Sequence, residues 1–212
     1  VLDLVHPTEG TVRLFGHPTS STEWKARVGY LPEVFDGSKG MNGEQVLTFL
    51  GLLSGLRHNI LRERVEYVKK AVDLPDLRKK IGTYSKGMRV RLGLAQALMH
   101  QPSLLILDEP TDGLDPKGIV VVRQLISGLR DEGVSCLISS HLISEVERVA
   151  DRIIILHEGA VVREGRTDQL LPGAERYRIR IDALPPDTLG LSVVADGTHW
   201  RVESESVEGL QK

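Results

Sequence analysis

YSKGMRVRLGLAQALMHQPSLLILDEPTDGLDP, residues 84–116, decides how this chain is to be read. Inside it the apolar run Leu104-Leu105-Ile106-Leu107 ends abruptly in two adjacent acids, Asp108 and Glu109. A run of that length bounded by turn residues is the pattern of a buried strand in a parallel sheet. Two carboxylates at the C-terminal end of such a strand suit a magnesium-bound nucleotide, because ligands of open α/β sheets gather there. One helix earlier, Ser85-Lys86-Gly87 makes a Ser-x-Gly turn. Ser85 is suited to cap a helix reaching about His100, before Pro102. The free amides at such a helix start favour an anion.

Alternating elements surround this centre. Val28 to Glu33 reads as a strand stopped by Pro32, and Val12 to Gly16 as a shorter one. From Asn42 to about Leu74 the apolar period changes to that of helices, with Val46, Leu47, Leu50 and Leu53, then Ile60, Val65, Val68 and Val72. After the acids come a helix over about Lys117 to Arg130, a strand from Ser135 to Ser139, a helix from about Ile143 to Val149 and a strand from Arg152 to Leu156. Strands alternating with helices predict an α/β fold with a parallel sheet and helices on its faces. Past Gly165 the pattern shifts. Tyr177, Ile179 and Ile181 alternate with Arg178, Arg180 and Asp182, as on a strand with one wet face. Pro185-Pro186 breaks it, and Leu191 to Val194 and Trp200 to Val202 suggest two further strands.

Composition excludes several classes. With 212 residues, 41% apolar and 26% charged, the chain suits one good core and a small appendage. A net charge of -2 does not favour a nucleic-acid partner. The single cysteine, Cys136, lies in the apolar run Val134 to Ile138 and reads as a packing residue. One cysteine forms no disulfide framework, which fits a reducing compartment. No apolar run approaches the roughly 20 residues of a membrane-spanning helix.

The order and spacing of these features resemble the ATP-binding subunit of ABC transporters. Ser85-Lys86-Gly87-Met88 matches the signature motif, Leu104 to Glu109 the Walker B strand, and Gly113-Leu114-Asp115 the D-loop. The resemblance covers about residues 1–170 and implies a P-loop NTPase-like sheet with a helical insertion at about 42–100. Residues 171–212 then begin a small β-rich accessory domain. It also implies roles for single residues. Asp108 is a magnesium ligand and Glu109 the catalytic base. His141, after the strand Ser135 to Ser139, is the switch histidine that meets the γ-phosphate and helps hold Glu109. Glu33 stands at the Q-loop position, where the family usually has Gln, as a second metal ligand. Ser85, Lys86, Gly87, Met88 and Asp115 approach the nucleotide of a second subunit. Lys86 replaces the usual Gly and Met88 a frequent Gln, a variation that resembles bacterial exporter ATPases.

Each of these residues also has an ordinary reading. Asp115 ahead of Pro116 suits an N-cap, Ser85 likewise, and Glu33 a polar strand end. The remaining histidines (His6, His17, His58, His100, His157 and His199) are read as solvent or packing residues. The ladder Arg176, Arg178, Arg180 is read as a solvated strand face.

No Gly-x-x-x-x-Gly-Lys-Ser/Thr phosphate loop occurs in the sequence, which opens Val1-Leu2-Asp3-Leu4. The resemblance therefore places that loop upstream of Val1 and makes Val1 a fragment boundary. Without the central strand that carries it, these residues alone are expected to be marginal and inactive. For the intact parent the resemblance implies ATP and Mg2+, transmembrane permease subunits, a second ATPase subunit, no nucleic acid, and a place in the cytoplasm at the inner membrane face. The alternatives are a non-transport ABC-type ATPase and a non-hydrolysing regulatory piece. The short interval of residues 34–84 between Q-loop and signature argues against the coiled-coil repair type.

Overall fold

Strand β4 (Leu104–Asp108) is the axis of a three-stranded parallel sheet, flanked by β3 (Val28–Leu31) and β5 (Ser135–Ser139). The computed structural model describes residues 2–37, 39–74 and 76–170, and the backbone alone of 192–196 and 199–203. Gly29 faces Leu105 and Cys136 across the register, and Leu31 faces Leu107 and Ile138, so these residues share one face. Leu31, Leu105 and Leu107 are each 1% exposed. Burying a leucine fully stabilises by about 1.5–3 kcal/mol. The opposite face carries Tyr30, Ile106 and Leu137, half-buried to exposed, and ends in Asp108 and Ser139. The chemistry and the apolar core thus emerge on opposite sides of one sheet.

The core face is closed by helices. In α1 (Gly43–Leu53) the start is a capping box: Asn42 accepts from the Gln45 N–H while the Gln45 side chain accepts from the Asn42 N–H. Helix α2 (His58–Ala71) turns Leu61, Val65 and Val68 inward at helical spacing. Helix α3 (Lys86–Leu98) starts where Ser85 Oγ accepts from the Met88 N–H at 3.2 Å. It lies unusually close to the sheet. A Cβ on Gly29 would sit 2.2 Å from the Ala97 carbonyl oxygen, and one on Gly93 2.5 Å from Leu31 Cδ1. Arg64 of α2 donates to the carbonyls of Leu98 and Met99 at 2.9 and 3.1 Å, satisfying the open end of α3. Helix α4 (Pro116–Asp131) adds Val122, Ile126 and Leu129 to the same core, and α5 (Ile143–Val149) follows β5.

These elements form the unit Val1–Val149, with a small hairpin, β1 (Arg13–Leu14) and β2 (His17–Pro18), ahead of β3. The sequence suggests one strand over 12–16. The hairpin arises because Phe15 and Gly16 both take left-handed backbones, φ 52° and 83°, the requirement of a two-residue primed turn.

A second unit, Ala150–Lys212, contains β6 (Arg152–His157), β7 (Ala160–Arg166) and the short α6 (Thr167–Leu170). The sequence reading groups 152–156 with the alternating elements and a domain reaching 170. In the structure β6 pairs antiparallel with β7 instead. Glu158 and Gly159, both at positive φ (50° and 77°), turn the chain straight back. Backbones 192–196 and 199–203 form an antiparallel pair, β8 (Ser192–Asp196) and β9 (His199–Glu203), close to the two late strands expected. The strand expected around Tyr177 to Ile181, the arginine ladder and Pro185-Pro186 lie outside the described residues.

Candidate functional site

The acid pair is held by the two strands that meet beneath it. Asp108 ends β4 opposite Ser139 of β5, and Ser139 Oγ donates to Asp108 Oδ1 at 2.5 Å. Burial, together with the nearby charge of Asp108, raises the Tyr30 phenol. Asp108 therefore presents its carboxylate, steadied through Oδ1, on the sheet side away from the core. That suits magnesium, which takes one or two carboxylates and keeps waters and phosphate oxygens for its other positions.

Glu109 leaves the strand direction. Its backbone is left-handed, φ 47°, a conformation that costs a non-glycine residue on the order of 1–3 kcal/mol. Its N–H still donates to the Ser139 carbonyl at 3.2 Å, so the turn is anchored to β5. His141 closes around the carboxylate: its main-chain N–H donates to Oε1 at 3.0 Å, and its ring Nδ1 lies 3.0 Å from Oε2. Oε2 is buried and has no other partner, so a proton on Nδ1 satisfies it. The Glu109 side chain is 20% exposed and the His141 ring 67%. An acid is thus fixed in direction by a histidine whose far edge remains wet.

The start of α3 packs against the loop that follows. Lys86 Nζ reaches Asp112 Oδ2 at 2.5 Å, and its stem covers Gly113 so closely that a Cβ there would lie 2.3 Å from Lys86 Cδ. Gly113 has φ 71°, a second reason for glycine. The hydrogen bond from Lys86, and then its charge and that of His141, hold the Asp112 carboxyl below its ordinary range. Gly87 lies against Leu114 Cδ2 and the Gly113 carbonyl, 3.3 and 3.5 Å from where a Cβ would stand. Ser85 and Lys86 are exposed, and Gly87 and Met88 half-buried. Asp115 caps α4 by accepting from the Gly118 N–H at 2.9 Å, with Pro116 at the first helical position.

Not every expected residue joins this group. Glu33 follows Pro32 and is exposed. Among the described residues no three His, Cys, Asp or Glu side chains converge closely enough to hold a metal by themselves, so Glu33 does not complete a ready-made chelate with Asp108 and Glu109. Lys86, expected to approach an anion, is engaged by a carboxylate of its own chain.

Three participants were not singled out in the sequence. Ser139 is found from the strand register, since it stands opposite Asp108. Asp112 lies inside the quoted motif, but only folding brings it to Lys86. Arg91, with a side chain only 13% exposed, donates to the Asp73 carbonyl at 2.6 Å and lies 3.7 Å from Asp115 Oδ1, joining the turn after α2 to the start of α4.

A family profile described as ABC transporter matches residues 1–112. The chain belongs to the ABC transporter family. It is 40% identical over 181 residues to the bacitracin transport ATP-binding protein BcrA of Enterococcus faecalis, covering 84% of this chain and 58% of that protein. It therefore spans little more than half the length of that relative. It is 33% identical over 177 residues to the ABC transporter ATP-binding protein NatA of Bacillus subtilis (strain 168), covering 80% and 71%. A solved ATP binding subunit of an ABC transporter superposes with a TM-score of 0.73 at 25% identity, over 81% of this chain and 72% of that one. The nucleotide-binding fold expected from residues 84–116 is thus that of the family. Among the described residues of this ABC chain, no helix is long and apolar enough to cross a membrane.

Proposed function

We propose that the chain, as part of its intact parent, binds ATP with magnesium and hydrolyses it as the cytosolic ATPase subunit of an ABC transporter. The observation that supports this most is the grip of His141 on both oxygens of Glu109, beside Asp108 on the wet face of the sheet. In this reading Glu109 is the general base. Its carboxylate accepts a proton from a water attacking the terminal phosphate, and His141 keeps the carboxylate turned toward that water. Asp108, steadied by Ser139, is the protein ligand for magnesium, which when bound neutralises developing charge on the phosphates. Glu33, exposed after Pro32, is the further acid that this reading assigns to the metal.

Ser85, Gly87 and the exposed start of α3 present amides and a hydroxyl to the nucleotide of a second subunit, with Lys86, Met88 and Asp115 around them. Two such chains closing on ATP and parting after hydrolysis would move transmembrane permease subunits, which places the protein in the cytoplasm at the inner face of the membrane. Bacitracin transport in the Enterococcus relative makes bacitracin and similar drugs the first substrate class to test.

The test is ATP turnover by the protein together with its membrane partner, wild type against Glu109→Gln. Turnover is expected to fall by a factor on the order of 10²–10⁴ while nucleotide binding persists. Undiminished turnover in Glu109→Gln would remove Glu109 from the role of base.

A further inference from the structure

We propose that Lys86 and Asp112 form a latch within one chain that positions the loop carrying Glu109. This inference rests on the ATPase reading above. The fixed side of the latch is α3, whose first residue is Lys86. That helix cannot easily shift: Gly29 and Gly93 seat it directly on the strands, and Arg64 ties down its far end. From this platform the lysine stem lies along Gly113 and delivers Nζ to Asp112 Oδ2 at 2.5 Å.

The movable side is the turn after the acid pair. Asp112 N–H donates to the Glu109 carbonyl at 3.1 Å, and Leu114 N–H to the Thr111 carbonyl at 3.2 Å. Asp112 is therefore bound through its own backbone to the residue whose side chain His141 holds. The line runs from the start of α3 through Lys86 and Asp112 to Glu109, then across to β5 through His141 and the Ser139 carbonyl. Glycine at position 86 would have no reach to make the first link. The Lys86 and Asp112 side chains are 58% and 38% exposed, so the pair is too wet to matter much for global stability. Its effect lies in direction: Glu109 has a left-handed backbone and needs its turn held from outside. Lys86 and Asp112 are positioning residues, and neither has to touch the nucleotide of its own site.

The test is a double-mutant cycle on the full protein with its membrane partner, using Lys86→Met, Asp112→Asn, both together, and the exchanged pair Lys86→Asp with Asp112→Lys. Each single change is expected to lower kcat about two- to fivefold, the scale of one exposed charge pair, with KM for ATP unchanged. The double variant should fall no further than the singles, and the exchanged pair should recover part of the loss. Amide hydrogen exchange over 111–114 should quicken in both single variants. A raised KM in Lys86→Met with Asp112→Asn silent would overturn the latch, as would independent multiplicative effects or unchanged exchange. A wild type that hydrolyses no ATP would sink the ATPase reading alone, because hydrogen exchange still decides the latch.

Discussion

His141 grips Glu109 at both carboxylate oxygens, through its main-chain N–H to Oε1 and its ring Nδ1 beside Oε2, each at 3.0 Å. Only the second contact depends on the side chain. His141→Ala therefore keeps the backbone bond and frees the carboxylate to rotate about it. Turnover should fall about 10- to 100-fold, since misplacing a reacting group by an ångström costs on that order. KM for ATP should change less than kcat, unless the ring also binds phosphate. Steady-state kinetics separate the two outcomes.

Asp115 has both a capping and a proposed intersubunit role, and two substitutions divide them. Asparagine caps a helix as well as aspartate, so Asp115→Asn should leave thermal stability nearly unchanged. Asp115→Ala removes the acceptor for the Gly118 N–H and should cost about 1 kcal/mol. ATP turnover that falls in Asp115→Asn, with stability intact, assigns work to the carboxylate beyond its cap. Normal turnover in that variant leaves Asp115 a cap alone.

Gly29 marks the tightest approach of α3 to the sheet, and Gly128 of α4 has open space where a Cβ would stand. Gly29→Ala drives a methyl into the Ala97 carbonyl oxygen, so it should destabilise by about 3 kcal/mol or more. Gly128→Ala, in a helix with nothing to strike, should stabilise by about 0.5–1 kcal/mol. Denaturant unfolding of both variants measures the contrast. Equal effects would mean that the closeness of α3 to β3 is not a stability determinant.

His100 meets the Val28 carbonyl through Nε2 at 3.0 Å, while its Nδ1 is buried without a partner. Burial lowers its pKa, against the raising effect of the carbonyl, and the Arg64 charge lowers it further. The unfolded chain then takes up this proton before the folded one does. Stability from neutral His100 is present above the unfolded value of about 6.5 and declines as pH falls below it. Unfolding measured at pH 7.5 and 5.5 should show a loss that shrinks in His100→Gln. An identical loss in the variant would assign it to other groups.

Cys136 is half-buried, and burial raises its thiol to about 11. At pH 8 native protein should react with a thiol reagent far more slowly than unfolded protein, because almost no thiolate is present. Matching rates would refute that.

How much was legible in the sequence depended on how local each signal was. The helices α1 to α4, the strands β3 to β5 and the caps at Ser85 and Asp115 follow from periodicity and from residues within one turn of each other. The antiparallel return of β7 onto β6 was missed, because its signal is two residues, Glu158-Gly159, whose left-handed backbone is not written in the apolar pattern. The acid pair was found as a motif, and His141 was found only through resemblance to the family.

The sequence by itself determined that a buried strand ends in Asp108 and Glu109, that a capped helix precedes it, and that the chain is α/β, because burial and capping act over a few residues. Only the tertiary structure decided who touches whom: His141 on Glu109, Ser139 on Asp108, Lys86 on Asp112. Those pairs lie 26 to 32 residues apart along the chain. What brings them together is the parallel register of β4 and β5 and the close seating of α3 on β3, and neither is a property of any one segment.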